Sequence, residues 1–179
     1  MVDRIAVHGA SGSGKSTLAR ILSARLGLPR TELDALFHQP GWTELATDAF
    51  RERVASVVAG ERWVVEGNYR QVRDLVWARA ELVVVLDPPR WVVVRQLLGR
   101  TLVRGVARRE LWNGNRESLA NLLSTDPGRN VVLWSWRTID RYHTEVPDEA
   151  RAGASRARTV VLRSRHEIDR FVDEVAPRA

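Results

Sequence analysis

The run His8-Gly9-Ala10-Ser11-Gly12-Ser13-Gly14-Lys15-Ser16-Thr17 constrains this chain more than any other feature. Its fixed positions, G-x-x-x-x-G-K-[ST], work only between a buried strand and the first turn of a helix. The flanks meet that demand. Ile5–His8 is apolar enough for a short strand, and Lys15–Leu26 places Leu18, Ile21, Leu22 and Leu26 on one side of a helix. Glycines at 9, 12 and 14 let the backbone curl so that successive N–H groups converge on one point. That geometry selects an anion, and the positive end of the following helix adds to it.

The remaining chain alternates strands and helices. Gly27-Leu28-Pro29 closes the first helix, and Arg30–Leu33 follows as a strand with a loop over Asp34–Thr43. Thr47–Ala59 reads as helix, Trp63–Glu66 as strand, and a short helix runs to Trp77. Leu82–Leu86 is wholly apolar, as expected at the centre of a parallel sheet. Pro88-Pro89 opens a helix to about Val103. Helical stretches are expected over Glu117–Ser124 and Asn130–Thr144, and a last strand over Thr159–Leu162. Ser164 and Glu167 have the spacing of a capping box for the final helix. The expected fold is α/β: a three-layer sandwich with about five parallel strands and helices on both faces. Residues 1–179 form a single domain in this reading.

Of the 28 basic residues only Lys15 is a lysine, so a compact ammonium is wanted at that one place. With no cysteine, disulfides and thiolate metal sites are excluded. Neither an apolar run of spanning length nor a leader is seen, so a cytoplasmic location without membrane attachment is expected. The net charge of +6 suits phosphorylated ligands or nucleic acid. Its arginines gather at 95, 100, 104, 108, 109 and 116 around Glu110, which predicts a basic, mobile lid over 104–117. Such a placement favours phosphates in a cleft over a polynucleotide.

The expected nucleotide contacts are Gly9, Ser11, Gly12, Ser13, Gly14, Lys15, Ser16 and Thr17, with ATP as ligand and Mg²⁺ on the Ser16 hydroxyl. Carboxylates belong at the carboxyl ends of strands. Asp34 is the candidate to orient or deprotonate an acceptor hydroxyl, and Asp87 the candidate on the metal side. Glu66 could face the acceptor. Lys15, Arg100, Arg104 and Arg108 would stabilise charge in the transition state, with Arg137 and Arg141 as weaker candidates. Trp42 and Trp112 could stack on an acceptor ring, whereas Trp63, Trp77 and Trp134 belong to the core and His38 to the surface. The four histidines lack metal-ligand spacing.

These segments resemble the P-loop nucleotide and small-molecule kinases, the adenylate kinase and shikimate kinase group. Glu32-Leu33-Asp34-Ala35-Leu36-Phe37, Trp63-Val64-Val65-Glu66-Gly67-Asn68-Tyr69, Asp87-Pro88-Pro89 and the run 109–117 look more closely like the bacterial topology modulation proteins, or adenylate-kinase-related ATPases. The resemblance spans nearly the whole chain and implies phosphoryl transfer from ATP to a small-molecule or nucleotide acceptor. Two departures argue against AMP as acceptor. Gln96 stands where adenylate kinases carry the first arginine of a lid pair, and Glu66-Gly67-Asn68-Tyr69 replaces their D-G-[FY]-P. The competing classes are a nucleic-acid-associated ATPase or polynucleotide 5′-hydroxyl kinase, and a regulatory ATP-binding module.

Overall fold

A computed structural model describes residues 2–106, 110–115, 133, 135–136, 139–154 and 156–177. Five strands, β1 (Arg4–Gly9), β2 (Arg30–Glu32), β3 (Trp63–Glu66), β4 (Leu82–Leu86) and β5 (Arg158–Leu162), form one parallel sheet in the order β2-β3-β1-β4-β5. The helices are α1 (Lys15–Leu26), α2 (Leu33–Phe37), α3 (Thr47–Val58), α4 (Arg70–Arg79), α5 (Arg90–Val106), α6 (Asp140–His143), α7 (Glu145–Gly153) and α8 (Arg165–Val175). Two short 3₁₀ turns, Pro40–Trp42 and Trp112–Gly114, lie among them.

The three layers follow from the two-residue period of a strand. Ile5 and Val7 of β1, with Leu82, Val84 and Leu86 of β4, face one way onto Leu18 and Leu22 of α1 and Phe171 and Val172 of α8. Ala6, Val83 and Val85 face the other way, onto Phe50 and Val54 of α3, Val72 and Val76 of α4, and Val146 and Ala150 of α7. A central strand buried on both faces has no polar side, which is why β4 is uninterrupted Leu and Val. Each such side chain contributes roughly 1.5–3 kcal/mol by leaving water.

Several elements match the sequence expectation to the residue: α1, β3 and β4. Gly27 ends α1 at φ 63°, with Leu28 N–H on the Ser23 carbonyl. Ser164 caps α8 by accepting the Glu167 N–H, while Glu167 Oε2 accepts the Arg163 N–H at 2.7 Å, one residue outside the usual capping box. One expectation fails and one element was not foreseen. The stretch after β2 is not a loop from Asp34 onward, because Leu33 and Phe37 are buried one helical turn apart and wind 33–37 into α2. The sequence also gave no warning of α7, whose Pro147 sits in its first turn, where a missing N–H costs nothing. The stretch expected over Glu117–Ser124 lies outside the described residues, as does most of 130–138. Among the described residues no helix is long and apolar enough to cross a membrane.

Candidate active site

Strand β1 delivers the chain to the glycine-rich loop between the two neighbours β3 and β4, at the carboxyl edge of the sheet. The side-chain amide of Asn68, two residues past β3, fixes where the loop begins. Its Oδ1 accepts the Gly9 N–H at 3.2 Å and its Nδ2 donates to the Gly9 carbonyl at 2.5 Å. Gly12 (φ 89°) lies against bare backbone of α5: a Cβ there would come 2.8 Å from the Val93 carbonyl oxygen. Gly14 holds φ 97° as the residue that opens α1, and no side chain caps that helix end. No acidic residue of the first turn stands over the orphan N–H groups there, so that helix end keeps its positive character.

The side chains around the loop have the same character. Lys15 is buried, and no salt bridge joins it to a carboxylate among the described residues. A buried ammonium without a paired anion is costly, and a phosphate is the group that relieves it. The Ser13 hydroxyl is buried with no hydrogen-bond partner among the described residues. Arg100 reaches in from α5, its Nη2 donating to Ser11 Oγ at 3.2 Å. Ser135 Oγ donates to the Ser11 carbonyl from the far side. Ser16 and Thr17 are exposed in the first turn of α1.

Ser16 Oγ donates to Oε2 of Glu66 at 2.6 Å. Glu66 ends β3, is buried, and has its pKa raised, chiefly by burial, although Ser16, Lys15 and Arg30 each favour the charged form. A serine oxygen beside a carboxylate is the hard oxygen set that Mg²⁺ takes, so the residues present fit that ion. Asp87, the sequence's candidate on the metal side, directly follows β4, the other neighbour of β1. It is buried where β4 meets β5, accepting from Arg163 Nε at 3.2 Å, and its own N–H goes to the Leu162 carbonyl.

On the other side of Glu66 lies the region expected to meet an acceptor. Asp34, in the first turn of α2, accepts the Tyr69 hydroxyl at 2.6 Å. Burial and the Asp34 charge push the Tyr69 pKa well up, so the phenol keeps its proton and stays a donor. The Tyr69 oxygen is 3.4 Å from His38 Nε2. His38 is part of an aromatic cluster, not a free surface residue: its ring stacks at 6.1 Å on Trp112 and meets Trp42 edge-on at 5.3 Å.

Residues 110–115 are docked onto this region. Asn113 Nδ2 donates to the carbonyls of Ala35 (3.2 Å) and His38 (2.5 Å). Asn115 pairs with the backbone of the 39–42 turn, donating to the Gln39 carbonyl at 2.9 Å and accepting the Trp42 N–H at 2.9 Å. Trp112 Nε1 donates to Glu32 Oε2 at 2.6 Å. The expected lid is therefore divided: 104–106 continue α5, while 110–115 belong with the acceptor-side loop. Arg104 lies one turn beyond Arg100 in α5. Arg108, Arg109, Arg116, Arg137 and Trp134 fall outside the described residues. Arg141 is engaged with Glu145 on an exposed helix face.

His8 shows how tightly the loop's root is held. Its Nε2 accepts the Trp77 indole N–H at 2.9 Å, which forces the ring proton onto Nδ1, and that donates to the Gly67 carbonyl at 2.7 Å. Burial and then the Arg73 charge lower its pKa to about 4. Glu66, Arg30, Asn68 and Tyr69 acquire their places through strand register and side-chain contact. The sequence singled out Glu66 as a candidate facing the acceptor and Gly67-Asn68-Tyr69 as a turn, but gave Arg30 no role.

No protein-family profile matches the sequence, and no curated protein matches it. Solved structures do match over nearly full length. A gluconokinase from Sinorhizobium meliloti 1021 is 18% identical with a TM-score of 0.51, over 97% of this chain and 93% of that one. A shikimate kinase from Acinetobacter baumannii in complex with shikimate is 15% identical at 0.53, over 98% and 93%. Another from Bacteroides thetaiotaomicron is 15% identical at 0.54, over 98% and 97%. The order of the parallel sheet, the loop at the end of β1 and these likenesses agree: the chain has the fold of the P-loop small-molecule kinases.

Proposed function

We propose that this protein is an ATP-dependent phosphotransferase acting on a hydroxyl of a small-molecule or nucleotide acceptor. The observation that carries the reading is the donor-rich cradle formed by the glycine-rich loop, the uncapped N-terminus of α1 and the buried Lys15, which no salt bridge engages among the described residues. Such a cradle suits a polyphosphate and little else. Mg²⁺, when bound, would neutralise β- and γ-phosphate charge, with Ser16 as ligand and Glu66 holding its coordinated water. Lys15 and Arg100 would face the charge that spreads over the transferred group. Asp34, oriented by Tyr69, would accept the acceptor's proton. The acceptor oxygen forms its bond to the γ-phosphorus as the bond from that phosphorus to the β-phosphate bridge oxygen breaks, and ADP leaves.

The neighbours of the same fold bear the names gluconokinase and shikimate kinase, which supports a small acceptor over a polynucleotide. A cytoplasmic enzyme is part of this reading. The test has two steps. Titration calorimetry with Mg²⁺·ATP and Mg²⁺·ADP examines the phosphate site, and radiolabelled ATP is then offered with a panel of sugars, sugar acids, nucleosides and oligonucleotides. Label on a small acceptor supports the proposal. Absence of nucleotide binding, or label on the oligonucleotides alone, overturns it.

A further inference from the structure

Between the phosphate loop and the acceptor-side segment runs a continuous chain of polar contacts. Ser16 Oγ meets Glu66 Oε2 at 2.6 Å; Glu66 Oε1 meets Arg30 Nη1 at 2.7 Å; the same Nη1 meets Glu32 Oε1; and Glu32 Oε2 meets Trp112 Nε1 at 2.6 Å. Every link uses a different oxygen of its carboxylate. The two glutamates are register partners on adjacent parallel strands, Glu32 opposite Glu66, so their side chains leave the sheet on the same face. Two carboxylates so placed repel each other when charged, and Arg30 lies between them, its Nη1 on both.

We propose that Arg30 is a positioning residue that couples the Ser16 hydroxyl to the seating of Trp112, so that nucleotide and metal at the phosphate loop and closure of 110–115 favour one another. The inference rests on the reading of the phosphate site given above. Glu66 cannot shift toward or away from Ser16 without altering its hold on Nη1. Nη1 has only two hydrogens, one for each glutamate. Any change at Glu66 is therefore felt at Glu32, which holds the indole N–H of Trp112. Such coupling is reciprocal: what tightens one end tightens the other by the same factor.

The experiment is a double-mutant cycle on the whole protein, read by calorimetric affinity for Mg²⁺·ADP. Trp112→Phe removes the indole donor and keeps the ring. In the wild-type background it should weaken Mg²⁺·ADP about fivefold; in an Arg30→Met background it should change affinity little. A loss of affinity in Arg30→Met alone would fit any structural role, so the non-additivity is the diagnostic result. Should Arg30→Met fold poorly, Glu32→Gln interrupts the same chain with a neutral isostere and should likewise abolish the Trp112 effect. Amide exchange over 110–115 provides the reverse readout: Mg²⁺·ADP should slow it in wild type and not in the Arg30 or Glu32 variant. Equal effects of Trp112→Phe in all backgrounds, or no effect in wild type, would overturn the coupling while leaving the phosphate site intact. A wild type that binds no Mg²⁺·ADP would overturn the phosphate-site reading and the coupling with it.

Discussion

Ser16 Oγ and Glu66 Oε2 lie 2.6 Å apart, across 50 residues of sequence. The contact exists because β1 and β3 are neighbours in register, with Val7 opposite Glu66, so the end of β3 reaches the helix that follows β1. It brings a carboxylate to the hydroxyl that the phosphate motif reserves for a metal. We expect Glu66→Gln to lower Mg²⁺-dependent transfer about 10–100-fold, the usual effect of losing a group that orients a metal's ligands. Titrating Mg²⁺ at fixed ATP checks this; wild-type Mg²⁺ dependence in the variant would rule out the role.

Lys15→Ala is expected to abolish transfer and weaken Mg²⁺·ATP binding by at least an order of magnitude. Hydrogen bonds to charged groups contribute about 1.5–3 kcal/mol each. Unchanged ATP affinity by calorimetry would count against the cradle as a phosphate site.

Asp34→Asn is expected to keep ATP affinity and lose transfer about 10²–10⁴-fold. Tyr69→Phe, which removes the hydroxyl that orients Asp34, should lose less. Single-turnover assays on an identified acceptor separate the two. Full-rate transfer by Asp34→Asn would reduce Asp34 to a structural member of α2.

A fourth expectation concerns pH. The folded pKa of His8, about 4, lies below the ordinary value of 6.5, so folding favours the neutral ring. The associated stability is complete above about pH 6.5 and is lost as pH falls toward 4, in total about 3 kcal/mol at 1.36 kcal/mol per pKa unit. Protonation would also set an N–H against the Trp77 indole N–H. Urea midpoints between pH 7.5 and 4.5 should therefore fall more steeply in wild type than in His8→Gln. Parallel pH profiles would refute the assignment.

How much of this was legible in the sequence depends on the range of the signal. The loop and α1 were readable because glycine spacing and helical period are local, and β4 because five apolar residues admit no solvent face. Helix α2 was missed because five residues with no side-chain cap carry almost no periodic signal, and Asp34 resembles a turn residue. The phosphate side of the site was visible in the motif itself. Which carboxylate meets Ser16 was not: Glu66 ends β3 and Asp87 follows β4, and the sheet order and register bring Glu66 to that hydroxyl. The role of Arg30 was hidden for the same reason, since its two partners stand opposite each other only after β2 and β3 pair.

The amide of Asn68 marks a boundary. By taking the N–H and the carbonyl of Gly9 together, it satisfies that residue as a neighbouring strand would, with a side chain standing in for main chain. Gly9 thus has no donor left for a ligand, and the receptor begins beyond it. One side chain separates the part of the chain that is architecture from the part that is kept unsatisfied. Aspartate at position 68 would lack the donor and set a charge against the Gly9 carbonyl, so it would blur that line. The loop beyond Gly9, where the Ser13 N–H already turns inward to the Ala10 carbonyl, could then relax further toward the protein instead of waiting for an anion.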